Sequence, residues 1–298
     1  MSNRTIFLTA ISMLAFAGNS LLCRMALKLT ELDAASFAAV RLLSGAVALV
    51  LLLGWRARSS TGRDLGVLAA VVTHVRAYGN WGSSLALFAY AALFSFAYVS
   101  MTAATGALLL FGAVQASMIG WGLAKGERLR SWQWLGFVVA LAGLVALMLP
   151  GFAAPSWSSA LTMVAAGVAW GVYSLHGRAT ISGKAADPLA TTCGNFVRTA
   201  PMALALCAAM LPTLRWDGAG IALALVSGAV TSGMGYAIWY RALPALRATS
   251  AATVQLSVPV IAAVGGVLLL GEPYSWQLQS ASIAILGGIA LVLRKPRA

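Results

Sequence analysis

Apolar residues fill this chain in runs of about twenty, separated by short polar or charged stretches. The runs lie at roughly 5–25, 34–54, 82–101, 104–124, 132–150, 157–177, 188–210, 219–241, 249–270 and 276–293. Each has the length a helix needs to cross the hydrocarbon core of a bilayer. Backbone groups there find no water, so helices are the default, and a β-barrel would instead alternate over about ten residues. The pattern predicts an all-α membrane protein with ten transmembrane helices. The stretch 64–81 departs from it: 65–73 is apolar but too short to span, and His74, Arg76, Tyr78 and Asn80 follow. It reads as a cytoplasmic loop or an interfacial helix. At the start, Arg4 and Ala15-Phe16-Ala17 imitate a secretory signal with its cleavage site. The apolar run continues to Leu22, however, so it is expected to be the first span.

Composition narrows the class. With 60% hydrophobic and 9% charged residues, ten spans use nearly the whole chain and leave no soluble domain of useful size. The net charge of +13 does not mark a nucleic-acid partner, because the basic residues fall on alternate loops. With the N-terminus inside, fifteen of the twenty Lys and Arg lie on inside loops, three (Arg24, Lys28, Arg215) lie outside, and Arg41 and Arg198 lie within spans. The positive-inside bias predicts that both termini are cytoplasmic in a multi-pass protein of the inner (plasma) membrane, with the lipid bilayer as its surroundings. Cys23, Cys193 and Cys207 are odd in number and lack metal-ligand spacing, so neither a disulfide framework nor a metal site is expected.

A repeat organises the spans. Gly126-Glu127-Arg128-Leu129-Arg130-Ser131-Trp132-Gln133 returns as Gly271-Glu272-Pro273-Tyr274-Ser275-Trp276-Gln277, Val40-Arg41 as Val197-Arg198, and Ser20 with Arg24 as Ser174 with Arg178. The expected units are 1–150 and 151–298, with five spans each. An odd number turns the second unit upside down, as in many secondary transporters that hold substrate near the midplane. Glu127 then lies inside and Glu272 outside. Each Gly-Glu pair is read as ending a helix, with its glutamate exposed or capping the next span.

Two five-span halves, each with Gly-Glu after its fourth span and an arginine in its second, resemble the drug/metabolite transporter superfamily, EamA type. The run Ser257-Val258-Pro259-Val260 is also similar to that family's penultimate span; in the first half Val114 stands where the proline would be. Trp170 with Tyr173, and Tyr236 with Trp239, resemble the YddG type of amino-acid exporter. The resemblance implies an inner-membrane carrier that works by alternating access, as a monomer and without a cofactor. It also implies a central cavity lined by spans one, three, four, six, eight and nine, and export of amino acids including aromatic ones.

The residues supply candidates for that work. Tyr90, Phe94 and Tyr98 share one face of span three; Trp170 and Tyr173 share one of span six, and Tyr236, Trp239 and Tyr240 one of span eight. Such rings either line a cavity and stack on an apolar or aromatic substrate, or form an interfacial belt. Depth favours the cavity for Tyr90 and Trp170. Asn19, Ser20, Gln115, Asn195 and Gln255 are polar side chains inside spans; they either serve the two charged groups of an amino acid or join helices. Arg41 and Arg198 either bind a substrate carboxylate or bond nearby carbonyls, and their matched positions favour a structural or gating role. His176 reads as a partnered residue near a helix end. Pro201 and Pro259 are candidate hinges, Pro259 the better one. Gly167 and Gly171 permit close helix packing.

All seven acidic residues (Glu31, Asp33, Asp64, Glu127, Asp187, Asp217, Glu272) fall in loops or at span ends. Carriers that relay protons commonly use membrane carboxylates, so transport without obligatory proton coupling is expected. A drug or nucleotide-sugar carrier is the alternative within the same class. An intramembrane enzyme would need a G-x-S-x-G, an H-E-x-x-H or a membrane carboxylate, and a channel would need a filter loop or a charged ring; neither pattern is present.

Overall fold

The apolar runs fold into helices, and among the described residues there is no strand. The computed structural model describes residues 3–61, 64–126, 130–148, 155–181, 187–242, 245–246, 254–273 and 275–293. In chain order the helices are α1 (Asn3–Leu29), α2 (Ala34–Thr61), α3 (Asp64–Ala77), α4 (Trp81–Tyr98), α5 (Ala103–Ala124), α6 (Ser131–Met148), α7 (Trp157–Ile181), α8 (Pro188–Ala209), α9 (Gly218–Val226), α10 (Gly235–Ala242), α11 (Ser257–Leu270) and α12 (Trp276–Leu293). Six described stretches are long and apolar enough to cross a membrane: Asn3–Leu29, Ala34–Ser59, Trp81–Tyr98, Ala103–Ala124, Trp157–Gly177 and Gly218–Ala242. The chain is therefore an all-helical, multi-pass membrane protein.

Polar residues between the runs start the helices. Asp33, Asn80, Thr102, Asp187 and Asp217 each accept a backbone N–H from the first turn that follows, at Ser36, Ser83, Thr105, Ala190 and Gly220. The glycines of the repeated motif end α5 and α11 at φ 90° and 59°, a left-handed backbone that suits glycine.

One element decides between two expectations, and two differ from the sequence pattern. Residues 64–77 are helix α3, which settles the choice between loop and helix there. The run at 219–241 is not one regular helix: between α9 and α10 the backbone opens into a π-helical stretch, Ser227–Met234. In the run at 249–270 the helix is interrupted: Val254 and Gln255 are helical, Leu256 is a turn, and α11 follows from Ser257. Pro259 explains that break, because it lacks the N–H that would bond the carbonyl of Gln255. Residues 247–253, like Glu127, Arg128, Leu129 and Tyr274 of the repeated motif, lie outside the described residues.

Helix packing crosses the middle of the sequence. α2 packs on α8 and α6 on α12, while α4 packs on α7 and α1 on the α9–π–α10 rod. Gly167 and Gly171 bring α7 close to α5, where added side-chain atoms would meet the Leu110 carbonyl and the Ser117 hydroxyl. At Gly228 a Cβ would strike the Arg41 carbonyl and the Ser44 hydroxyl, so glycine lets the π-helical stretch lie directly on α2.

Ion pairs tie the two ends. At one end Arg24 Nε meets Glu272 Oε1 at 3.2 Å, joining α1 to the residues after α11. At the other, the Arg56 guanidinium grips both oxygens of Asp187, joining α2 to the start of α8. Burial pushes the carboxyls of Asp33 and Asp187 up, but hydrogen bonds win and hold both below the usual carboxylate range. Those bonds come from Ser36 and the Arg215 N–H to Asp33, and from Arg56 and the Ala190 N–H to Asp187. A carboxyl with a lowered folded-state value adds stability above its unfolded value, near pH 4, and loses it as the pH falls through the folded value. The melting temperature of the detergent-purified protein should therefore be nearly flat from about pH 7 to 5 and drop below about pH 4. Asp33→Ala should cost about 1–2 kcal/mol at neutral pH and reduce the acid drop; an unchanged melting curve would contradict the capping role.

Candidate functional site

Where α1, α4, α7 and α10 face one another, their aromatic side chains form one cluster. Trp170 is its hub, with ring centroids 4.8 Å from both Tyr90 and Tyr236, 5.5 Å from Tyr173 and 6.0 Å from Phe16. Phe16 also packs edge-on against Tyr236 at 5.7 Å and Trp239 at 5.8 Å. Tyr90 continues through Phe94, at 5.4 Å, to Tyr98, which lies 4.7 Å further on. The rings enclose a void of about 10 Å³ walled by Phe16, Asn19, Tyr90, Phe94, Leu110, Phe111, Trp170 and Tyr236. That is room for about one water molecule. The expected central cavity is thus almost filled by its own side chains, and a substrate can enter only if the rings part.

A buried cation sits beside this cluster. Arg41 is 1% exposed. Its Nε donates to Ser232 Oγ at 3.0 Å, and its Nη2 donates to the hydroxyls of Tyr90 at 3.1 Å and Tyr236 at 3.2 Å. The guanidinium carbon lies 4.8 Å from the Phe94 centroid and 5.2 Å from that of Tyr90, within cation–π range. From Ser232 the hydrogen bonds run on: the Ser232 hydroxyl donates to Asn19 Oδ1 at 3.1 Å, and those of Ser227 and Thr231 donate to the same oxygen. All three donors belong to the π-helical stretch. Its widened turn presents them together to α1, as π segments often do at functional sites.

Comparison with known proteins places this geometry. The sequence profile of the EamA-like transporter family matches residues 157–294. An uncharacterized protein of Pseudomonas aeruginosa is 53% identical over 290 residues, covering 97% of this chain and 94% of its own. An uncharacterized transporter of Archaeoglobus fulgidus is 24% identical over 304 residues, covering 99% of both chains. One solved crystal structure shares the fold with a TM-score of 0.64 at 20% identity, over 96% of each chain.

Residues 157–294 belong to the EamA-like transporter family.

Within this EamA-like transporter the expected site residues separate into groups. Asn19, Tyr90, Phe94, Trp170 and Tyr236 wall the central void, and Tyr173 and Trp239 touch those walls. Tyr98, Trp239 and Tyr240 are buried, which removes the interfacial-belt reading for them. Ser20 and Gln115 are buried too, but neither walls the void. Asn195 Oδ1 accepts the Asn80 N–H at 3.0 Å, so its side chain holds the loop before α4. Among the described residues none of span nine walls the void: Gln255 precedes α11, and Pro259 borders an apolar groove of about 680 Å³ between α11, α12 and Leu108. Pro201 faces outward and His176 is exposed.

Two charged positions are distinguished by the structure. Arg41 and Arg198, matched in the repeat and expected in a structural or gating role, have different surroundings. Arg198 donates to the carbonyls of Arg76, Tyr78 and Gly194 and fastens the α3–α4 loop, whereas Arg41 joins the aromatic centre. Glu272 is 5% exposed rather than exposed, and it caps α5 rather than the span after it, accepting the Ala103 N–H at 2.7 Å. Arg24 supports the same junction by donating to the Tyr98 and Val99 carbonyls. Sequence reading missed Phe16, Leu110 and Phe111 as walls. Phe16 was within reach of it, since it stands three residues before Asn19 on the same face of α1.

Glu272→Gln should leave Arg24 half-paired in a largely dry site and cost about 2–3 kcal/mol in thermal denaturation. The double variant Arg24→Gln/Glu272→Gln should recover at least about 1 kcal/mol of it. Strictly additive losses would show that the pair is not coupled.

Proposed function

We propose that this EamA-like transporter exports amino acids, aromatic and other neutral ones among them, or similar small metabolites across the bacterial inner membrane. It does so as a monomer, by alternating access and without obligatory proton coupling. The observation that carries the reading is the aromatic cage around Trp170, set at the centre of the helices and fringed by the amide of Asn19 and the guanidinium of Arg41. Flat rings suit an apolar or aromatic body, and amide and guanidinium groups suit its polar end.

Ten spans form two inverted units, 1–150 and 151–298, with both termini cytoplasmic. The family match supports the division, since it covers one unit and stops near its limits. Helix pairing supports the inversion: second span lies on seventh (α2 on α8) and fifth on tenth (α6 on α12), while third on sixth (α4 on α7) mirrors first on eighth. Arg24, Lys28 and Glu272 gather at one end, the outer end by the positive-inside count, where Lys28 also donates to the Leu270 carbonyl at 3.0 Å. The two oxygens of Glu272 are engaged by Arg24 and the Ala103 N–H, so this carboxylate serves closure of that end rather than a proton relay.

Reconstitution into liposomes with a panel of labelled amino acids tests the proposal. Trp170→Ala and Tyr90→Ala should each reduce transport about tenfold or more while the protein stays folded. Transport should persist without a pH gradient. Normal transport in both variants would remove the cage from the substrate path, and strict dependence on the gradient would overturn the uncoupled mechanism.

A further inference from the structure

Arg41 carries a full positive charge at the centre of the molecule, and among the described residues no carboxylate pairs with it. Its Nη1 is buried and, among the described residues, has no hydrogen-bond partner. Burying a cation with only neutral partners is costly, and leaving one of its donors unmet adds to that cost. The hydroxyls and rings around Nε and Nη2 offset part of it and leave Nη1 over. Tyr90 and Tyr236 accept from Arg41, so each hydroxyl keeps its own proton to give.

Asn19 adds to the same bias. Because Ser232 accepts from Arg41, its hydroxyl proton goes on to Asn19, which fixes the oxygen of that amide toward the π-helical stretch. The Asn19 NH₂ donates to no described group, and Asn19 lines the central void together with Tyr90, Phe94 and Tyr236. The centre is therefore rich in donors, poor in free acceptors and positively charged. Its remaining walls are aromatic or aliphatic.

We propose that this centre is a carboxylate site: Arg41 takes the anionic end of the substrate, with the Asn19 amide as second donor, and the rings around Trp170 take its apolar body. The substrate class is then a small carboxylate with an aromatic or apolar side, and an ammonium group is not what the centre recognises. The inference rests on the reading that small metabolites pass through this cage, and it narrows which ones can do so.

The test uses the purified full-length protein in detergent and three probes of one shape: L-phenylalanine, hydrocinnamate (the carboxylate without the amine) and phenethylamine (the amine without the carboxylate). Dissociation constants come from thermal-shift titration, and transport is followed in liposomes. Both carboxylates should bind and phenethylamine should bind at least about tenfold more weakly. Arg41→Gln should weaken the carboxylates about thirtyfold or more. Arg41→Lys keeps the buried charge but lacks the planar fork, and should weaken them about fivefold or more; it decides the matter if Arg41→Gln does not fold.

Binding of phenethylamine as tight as that of hydrocinnamate, carboxylate affinity unchanged in the folded variant, or no binding of either carboxylate would overturn the proposal. The two readings fail separately. Amino acids that cross liposomes equally well with Arg41→Gln would sink the carboxylate site and leave amino-acid export standing. Hydrocinnamate bound through Arg41, with no amino acid transported, would do the reverse.

Discussion

A guanidinium shut away from water must be bonded on nearly every side, and the centre of this protein is arranged around that demand. Arg41 comes from α2, Tyr90 from α4, Ser232 from the π-helical stretch and Tyr236 from α10, so one side chain holds together elements far apart in sequence. The bonds extend through Ser232 to Asn19 of α1, which also receives Ser227 and Thr231. The aromatic rings then close over these polar contacts. Isolated pairs between membrane helices are worth about 0.6 kcal/mol each, so it is the joining of several in one chain that fixes five elements together.

The π-helical stretch is what allows this. A regular α-helix sets side chains at 100° steps, and Ser227, Thr231 and Ser232 would then not all converge on one oxygen. Widening the turn brings them together, and the glycines nearby keep the widened rod thin enough to lie on α2. Irregular backbone at membrane depth is tolerated where protein rather than lipid covers it. Here α1 and α2 provide that cover.

Much of the fold was legible because lipid imposes a simple rule: long apolar runs become helices, and the polar residues between them become caps. Asp33, Asn80, Thr102, Asp187 and Asp217 follow that rule directly. The rule is blind to departures from helix regularity, so the π-helical stretch and the turn at Leu256 escaped it. In the site, periodicity gave the shared faces from which Tyr90, Phe94, Trp170 and Tyr236 meet around one void, since ring spacing survives any packing of regular helices. It did not separate Arg41 from Arg198. Their sequence surroundings are alike, and what distinguishes them is the hydroxyls of Tyr90, Ser232 and Tyr236 in one case and loop carbonyls in the other. Glu272 was misjudged for the same reason: its partners, Arg24 and the Ala103 N–H, are more than 160 residues away in the chain.

The two ion pairs that tie the ends differ in a way that reaches beyond stability. Arg24 and Glu272 are 13% and 4% exposed in their side chains, whereas Arg56 and Asp187 are 45% and 19% exposed. Dissolved ions screen exposed charges far more than buried ones. Raising the ionic strength therefore loosens the Asp187 end while leaving the Glu272 end nearly as tight as before. Under the proposed alternating access, simple salt then acts as a lopsided ligand: it binds no particular site, yet it favours the conformation whose broken contacts it has already weakened.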